Sequence, residues 1–131
     1  MTTPQSIETQ HTLRTAVARL DDLRARESLA GAGGDAEALD GPQLLELLAL
    51  SEAVARKAAY GRQLTVRAAR EAGVSWAQIG AALGTSKQAA WEAHTRWIDA
   101  QEAGRDRPGD IGFDAAQAAE ARDVAGGPDS R

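Results

Sequence analysis

The chain has 131 residues, a net charge of −4, 43% hydrophobic residues and no cysteine. That length suits one domain of roughly 100 residues with tails rather than two, and the missing cysteines exclude disulfides and thiolate metal sites. Met1 to Gln10 is polar, and the most apolar run, Leu44 to Leu50, is short and interrupted by Glu46; a soluble, cytoplasmic protein without leader or membrane span is expected.

Met1 to about Ile7 reads as a frayed tail. From Glu8 to Ala30, Leu13, Ala16, Val17, Leu20 and Leu23 recur at three- and four-residue steps, which predicts an amphipathic helix with Arg14, Arg19, Asp21, Asp22 and Arg26 on its outer face. Residues 31–34 (Gly-Ala-Gly-Gly) end it, and the acidic connection to Asp40 is flexible. Asp40-Gly41-Pro42 then starts a second helix, with proline suited to its first turn.

That second helix is apolar on nearly all sides at Leu44, Leu45, Leu47, Leu48, Leu50 and Val54. So much apolar surface implies two partners, the first helix on one side and a second subunit on the other. Leu44, Leu47, Leu48, Leu50 and Val54 are therefore the candidate homodimer interface. The helical pattern runs on to Ala72, about 30 residues or roughly 45 Å if unbroken, with Gly61 as its weak point. Leu64, Ala68 and Ala69 are expected to pack on Ile79, Leu83 and Ala90, leaving Arg62, Arg67 and Arg70 outside.

Residues Gly73 to Trp97 organise the chain. Ser75 and Gln78 have the spacing of a capping box, and Val74 and Ile79 that of a hydrophobic staple. Ile79 and Leu83 give this short helix a buried stripe, and Gly84 ends it in the left-handed conformation that glycine adopts without steric cost. A further helix starts two residues on, capped either by Ser86 or by Thr85 with Gln88. Gly80 is the small residue that lets the two helices cross closely, and Ala90 packs the second onto the first.

The phrase Ser75-Trp-Ala-Gln-Ile-Gly-Ala-Ala-Leu-Gly-Thr-Ser-Lys-Gln-Ala-Ala90 resembles the helix-turn-helix of DNA-binding proteins and is similar to small actinobacterial regulators carrying that motif. The resemblance covers about 40 residues, and it departs from many relatives at Thr85, where an apolar residue is usual. With the helical patterns before it and the change of composition after it, an all-α fold is expected: an N-terminal helical hairpin (1–60) leading through a long helix into a three-helix unit (61–99), followed by an acidic, largely disordered tail (100–131). Within that tail, Asp114 could cap a short alanine-rich helix with Phe113 as its only large apolar residue.

Charge is consistent with that reading. Residues 56–98 carry seven basic and two acidic groups, whereas 1–55 carry four and nine, and 99–131 four and eight. Phosphate binding follows local potential more than net charge. The resemblance implies double-stranded DNA as partner, with the helix at about 86–98 in the major groove. By spacing, Ser86, Lys87, Gln88, Trp91, Glu92 and Thr95 then face the bases. Gln88 suits adenine, Lys87 guanine, and Glu92 a cytosine amino group. Arg62, Arg67, Arg70 and Arg96 are the candidate phosphate contacts. Trp91 either joins the reading face or turns into the core, where Trp76 and Trp97 are expected.

No enzyme is expected. His11 and His94 share no metal-ligand spacing, no phosphate-binding glycine loop is present, and no cofactor is implied. The sequence is read as a sequence-specific transcriptional regulator. Two alternatives stay open: a non-specific architectural protein of plasmid, phage or nucleoid, and a module docking on the transcription machinery through the leucine-rich helix.

Overall fold

The computed structural model describes residues 2–31, 37–104 and 112–130. These residues are all-α: α1 (Pro4–Gln10), α2 (Leu13–Gly31), α3 (Gly41–Glu71), α4 (Trp76–Leu83), α5 (Lys87–Gly104) and α6 (Ala115–Ala125). Among them, no helix is long and apolar enough to cross a membrane. The expectations for 32–36 and 105–111 fall outside the described residues. Contacts divide the chain into two compact units, Met1–Tyr60 and Gly61–Arg131, each described by itself below.

In the first unit, the expected N-terminal tail is a helix. Thr3 caps α1 reciprocally with Ser6, and the chain turns extended at His11 before Thr12 caps α2 through the Thr15 N–H at 3.2 Å. The break lets Ile7 join Ala16, Leu23, Leu47, Ala49, Leu50 and Ala53 in one core. Arg19, expected on the outer face of α2, reaches across to α3. Its Nε and Nη2 donate to the two Glu46 oxygens at 2.7 and 3.2 Å, a bidentate pair that holds the Glu46 carboxyl below its ordinary range.

The first turns of α3 do not leave free all the leucines expected at an interface. Leu47 and Leu50 are buried in the unit's own core, and Val54 packs against it. Leu44, Leu45 and Leu48 remain exposed, the last two by 62% and 68%. The helical repeat explains the division: a helix that buries 47 and 50 must turn 45 and 48 away.

In the second unit, α4 and α5 follow the end of α3 through two tight turns. Ser75 and Gln78 form the expected capping box. Gly84 is left-handed at φ 73°, and the Thr85 N–H bonds back to the Gly80 carbonyl at 2.8 Å, satisfying a carbonyl the helix end would otherwise leave open. Ser86, not Thr85, caps α5: its Oγ accepts the Ala89 N–H at 3.1 Å. At Gly80 a β-carbon would lie 2.8 Å from the backbone of both Thr85 and Ser86.

Two expectations for this unit fail. The inward stripe of α3 is Gln63, Val66 and Arg70, whereas Leu64, Ala68 and Leu83 are exposed. An open apolar groove of about 330 Å³ consequently runs between Val66, Ala69, Val74, Ile79 and Leu83. The described residues 112–130 do not form a disordered tail either: Ala118, Ala121 and Ala125 of α6 are fully buried against Val66, Trp76, Ile79, Ala90 and Ile98. Alanines suffice because the tryptophans supply the bulk. Trp76 Nε1 also donates to the Ala125 carbonyl at 2.9 Å, and Trp97 meets Phe113 edge to face at 5.5 Å.

Two glycine substitutions should act in opposite directions. Gly80→Ala drives a methyl into backbone that cannot swing aside and should lower stability by about 1–3 kcal/mol. Gly61→Ala adds a methyl that meets nothing within 4 Å inside α3, and should raise it by about 0.5–1 kcal/mol. Urea denaturation followed by helical circular dichroism checks both.

Candidate nucleic-acid interface

The leading edge of α5 is presented by the turn at Gly84, and its residues divide by helical spacing. Ala90, His94 and Ile98 point inward. Gln88, Glu92 and Arg96, four apart, form an exposed row, with Gln88 Nε2 donating to Glu92 Oε1 at 2.9 Å. Thr95 lies half-buried beside them, its hydroxyl donating to the Glu92 carbonyl at 3.0 Å. Ser86 is exposed and occupied as the cap. Sequence spacing thus placed Gln88 and Glu92 together, and Arg96, expected on phosphate, stands in their row.

Lys87 and Trp91 belong to a different side. Trp91 is half-buried, and its Nε1 donates to the Gly126 carbonyl at 2.6 Å, so it turns toward the end of α6 rather than outward. Lys87 Nζ is ion-paired with Asp129. Neither partner could be anticipated from residues read as a disordered tail.

The arginines separate too. Arg70 is buried: Nη1 donates to the Val74 carbonyl at 2.9 Å, and the guanidinium lies 5.3 Å over the Trp76 ring, a cation–π contact. It holds the end of α3 and is not placed to reach a phosphate. Arg67 is held by Glu71 at 3.1 Å, with Glu120 at 3.8 Å. Arg62 and Arg96 are exposed and form no ion pair among the described residues.

The basic segment is therefore diluted once folded. Residues 61–131 together carry nine basic and ten acidic side chains, a net −1. The acids of α6 and its flanks sit beside the cations they were expected to leave alone. Glu120 lies 3.8 Å from Arg67 and Asp129 pairs with Lys87, while Arg122 of α6 donates to Asp99 and Glu102 of α5, both at 2.8 Å.

His94 is a further residue that the sequence did not single out for its actual place. It is fully buried, its ring centroid 5.6 Å from that of Trp76 and 5.5 Å from that of Trp97. Nδ1 donates to Gln63 Oε1 at 2.8 Å, which leaves Nε2 as a buried nitrogen without a partner. Burial, helped by nearby Arg67, pushes its pKa down from 6.5 to about 4. Among the described residues, no cluster of His, Asp and Glu side chains is placed to hold a metal ion.

No family model matches this chain, and neither does any curated protein or solved structure.

The depressed pKa of His94 carries a definite pH dependence. The unfolded chain takes up the proton first, so this contribution to stability is complete above about pH 6.5. It is lost as pH falls toward 4, amounting to about 3 kcal/mol in all. The ring-proton resonance of His94 should titrate with a midpoint near pH 4. A titration midpoint near the ordinary 6.5 would show that the ring is not sealed.

Proposed function

We propose that this protein is a sequence-specific DNA-binding transcriptional regulator of the helix-turn-helix type, reading the major groove with α5. The observation that carries this reading is the approach at Gly80, where no room exists for a methyl group. It braces α4 against the turn before α5, while the row Gln88, Glu92 and Arg96 is left exposed. A rigid exposed helix start of this kind fits a groove, with the opening amides of α5 suited to a phosphate.

Roles follow from chemistry and exposure. Gln88 pairs with adenine and Glu92 accepts from a cytosine amino group, each released from the other on binding. Thr95 and Ser86 flank them, and Arg96 and Arg62 take backbone phosphates. With so few free cations, one unit binds weakly and loses affinity quickly as salt rises. A homodimer offsets this. Its interface is Leu44, Leu45 and Leu48 with the adjoining apolar groove of about 630 Å³ at Pro4, Pro42 and Ala49, rather than Leu47, Leu50 and Val54.

Selection of bound duplexes from a random pool at about 150 mM salt tests this. The expected result is an inverted repeat with half-sites about 34–36 Å apart or a multiple; enrichment of no sequence would overturn it. Gln88→Ala should relax one base position by about 1–3 kcal/mol. Leu45→Glu with Leu48→Glu should give a folded monomer in ultracentrifugation, because both side chains already face solvent.

Two observations favour a second reading. The net acidity of the second unit and the exposed leucines of the first also suit a module that docks on a larger protein of the transcription machinery. Under that reading Gln88→Ala is silent in the cell, while the leucine changes abolish function.

A further inference from the structure

The end of the chain is folded against one side of α5. Two indoles fix it there: Trp76 Nε1 on the Ala125 carbonyl at 2.9 Å and Trp91 Nε1 on the Gly126 carbonyl at 2.6 Å. Gly126 then takes a positive φ of 62°, and the chain doubles back on itself. The Ser130 N–H bonds to the Gly127 carbonyl at 3.0 Å, and the Gly127 N–H to Ser130 Oγ at 2.7 Å. This closed turn carries Asp129 to the Lys87 ammonium, one helical turn before Trp91.

We propose that the Gly126–Ser130 turn is an intramolecular cover for the leading edge of α5. The Asp129 carboxylate occupies the anion seat at Lys87 that a DNA phosphate takes when the protein binds. This rests on the DNA-binding reading above and adds regulation to it. A carboxylate and a phosphodiester oxygen present the same charge-assisted acceptor to an ammonium, so the two compete for one cation. The device is graded, not a lock. Both partners are largely exposed, at 50% and 79% for the side chains, and such pairs are weak and screened by salt. The backbone of the turn is held independently of the pair through the two indoles, so the carboxylate returns to Lys87 whenever DNA leaves.

The test is anisotropy of a labelled random-sequence duplex with the full chain at about 50 mM salt, where phosphate contacts dominate. Asp129→Asn is nearly isosteric and leaves both indole contacts in place. It should bind about three- to tenfold tighter than the natural chain, and the gain should shrink as salt is added. Asp123→Asn removes the same charge from an exposed position on α6 and should gain less than about twofold. In a Lys87→Ala background, Asp129→Asn should gain nothing beyond that small effect. If Asp129→Asn binds no tighter than Asp123→Asn while the natural chain binds duplex, the cover is overturned and the DNA reading survives. If none of the chains binds duplex, both fail together.

Discussion

Between α4 and the start of α5 the chain brings main chain against main chain at Gly80, with Thr85 and Ser86 on the other side. Contact that close fixes orientation more tightly than side-chain packing, because no rotamer can absorb an error. The rest of Gly61–Arg131 is built to the geometry this imposes. Ala90 is small enough to sit near the approach, and Trp76, one turn before Gly80, fills the core beyond it. The alanine face of α6 then closes over the tryptophan. A glycine and four alanines thus define the positions that one large ring requires.

Polar groups complete the placement of α3. Gln63, Val66 and Arg70 lie on its inward stripe, and two of the three are polar. Gln63 accepts from the buried His94, and Arg70 caps the Val74 carbonyl while lying over Trp76. Such contacts demand a specific register where an apolar stripe would tolerate sliding, and they carry a cost in desolvation. The unpartnered nitrogens of His94 and Arg70 are part of that cost.

Local signals in the sequence led to the α4 and α5 ends because they are local. Ser75 with Gln78, Gly84 and Ser86 act within a turn of themselves, and their spacing is their geometry. The inward face of α3 was misread because hydrophobicity puts Leu64 inside and Gln63 and Arg70 outside; only the distant His94, Trp76 and Val74 reverse that order. Helix α6 was legible as a helix from Asp114, but not as a packed one. Its three inward residues, Ala118, Ala121 and Ala125, bury little area alone, and nothing local announces the indoles that meet them. In the first unit the excess of leucines was legible, yet which of them a single chain would hide depended on where α2 lies across α3.

All three tryptophans, together with the single phenylalanine, fall in Gly61–Arg131. Tryptophan fluorescence, excited beyond the tyrosine absorption band, therefore follows that unit and is blind to Met1–Tyr60, whose single fluorophore is Tyr60. Emission and far-ultraviolet ellipticity are unequal witnesses: the first follows the indoles being uncovered, the second sums every helix. If the units melt separately, the two signals will not superimpose, and the mismatch will belong to the placement of chromophores rather than to an intermediate within either unit.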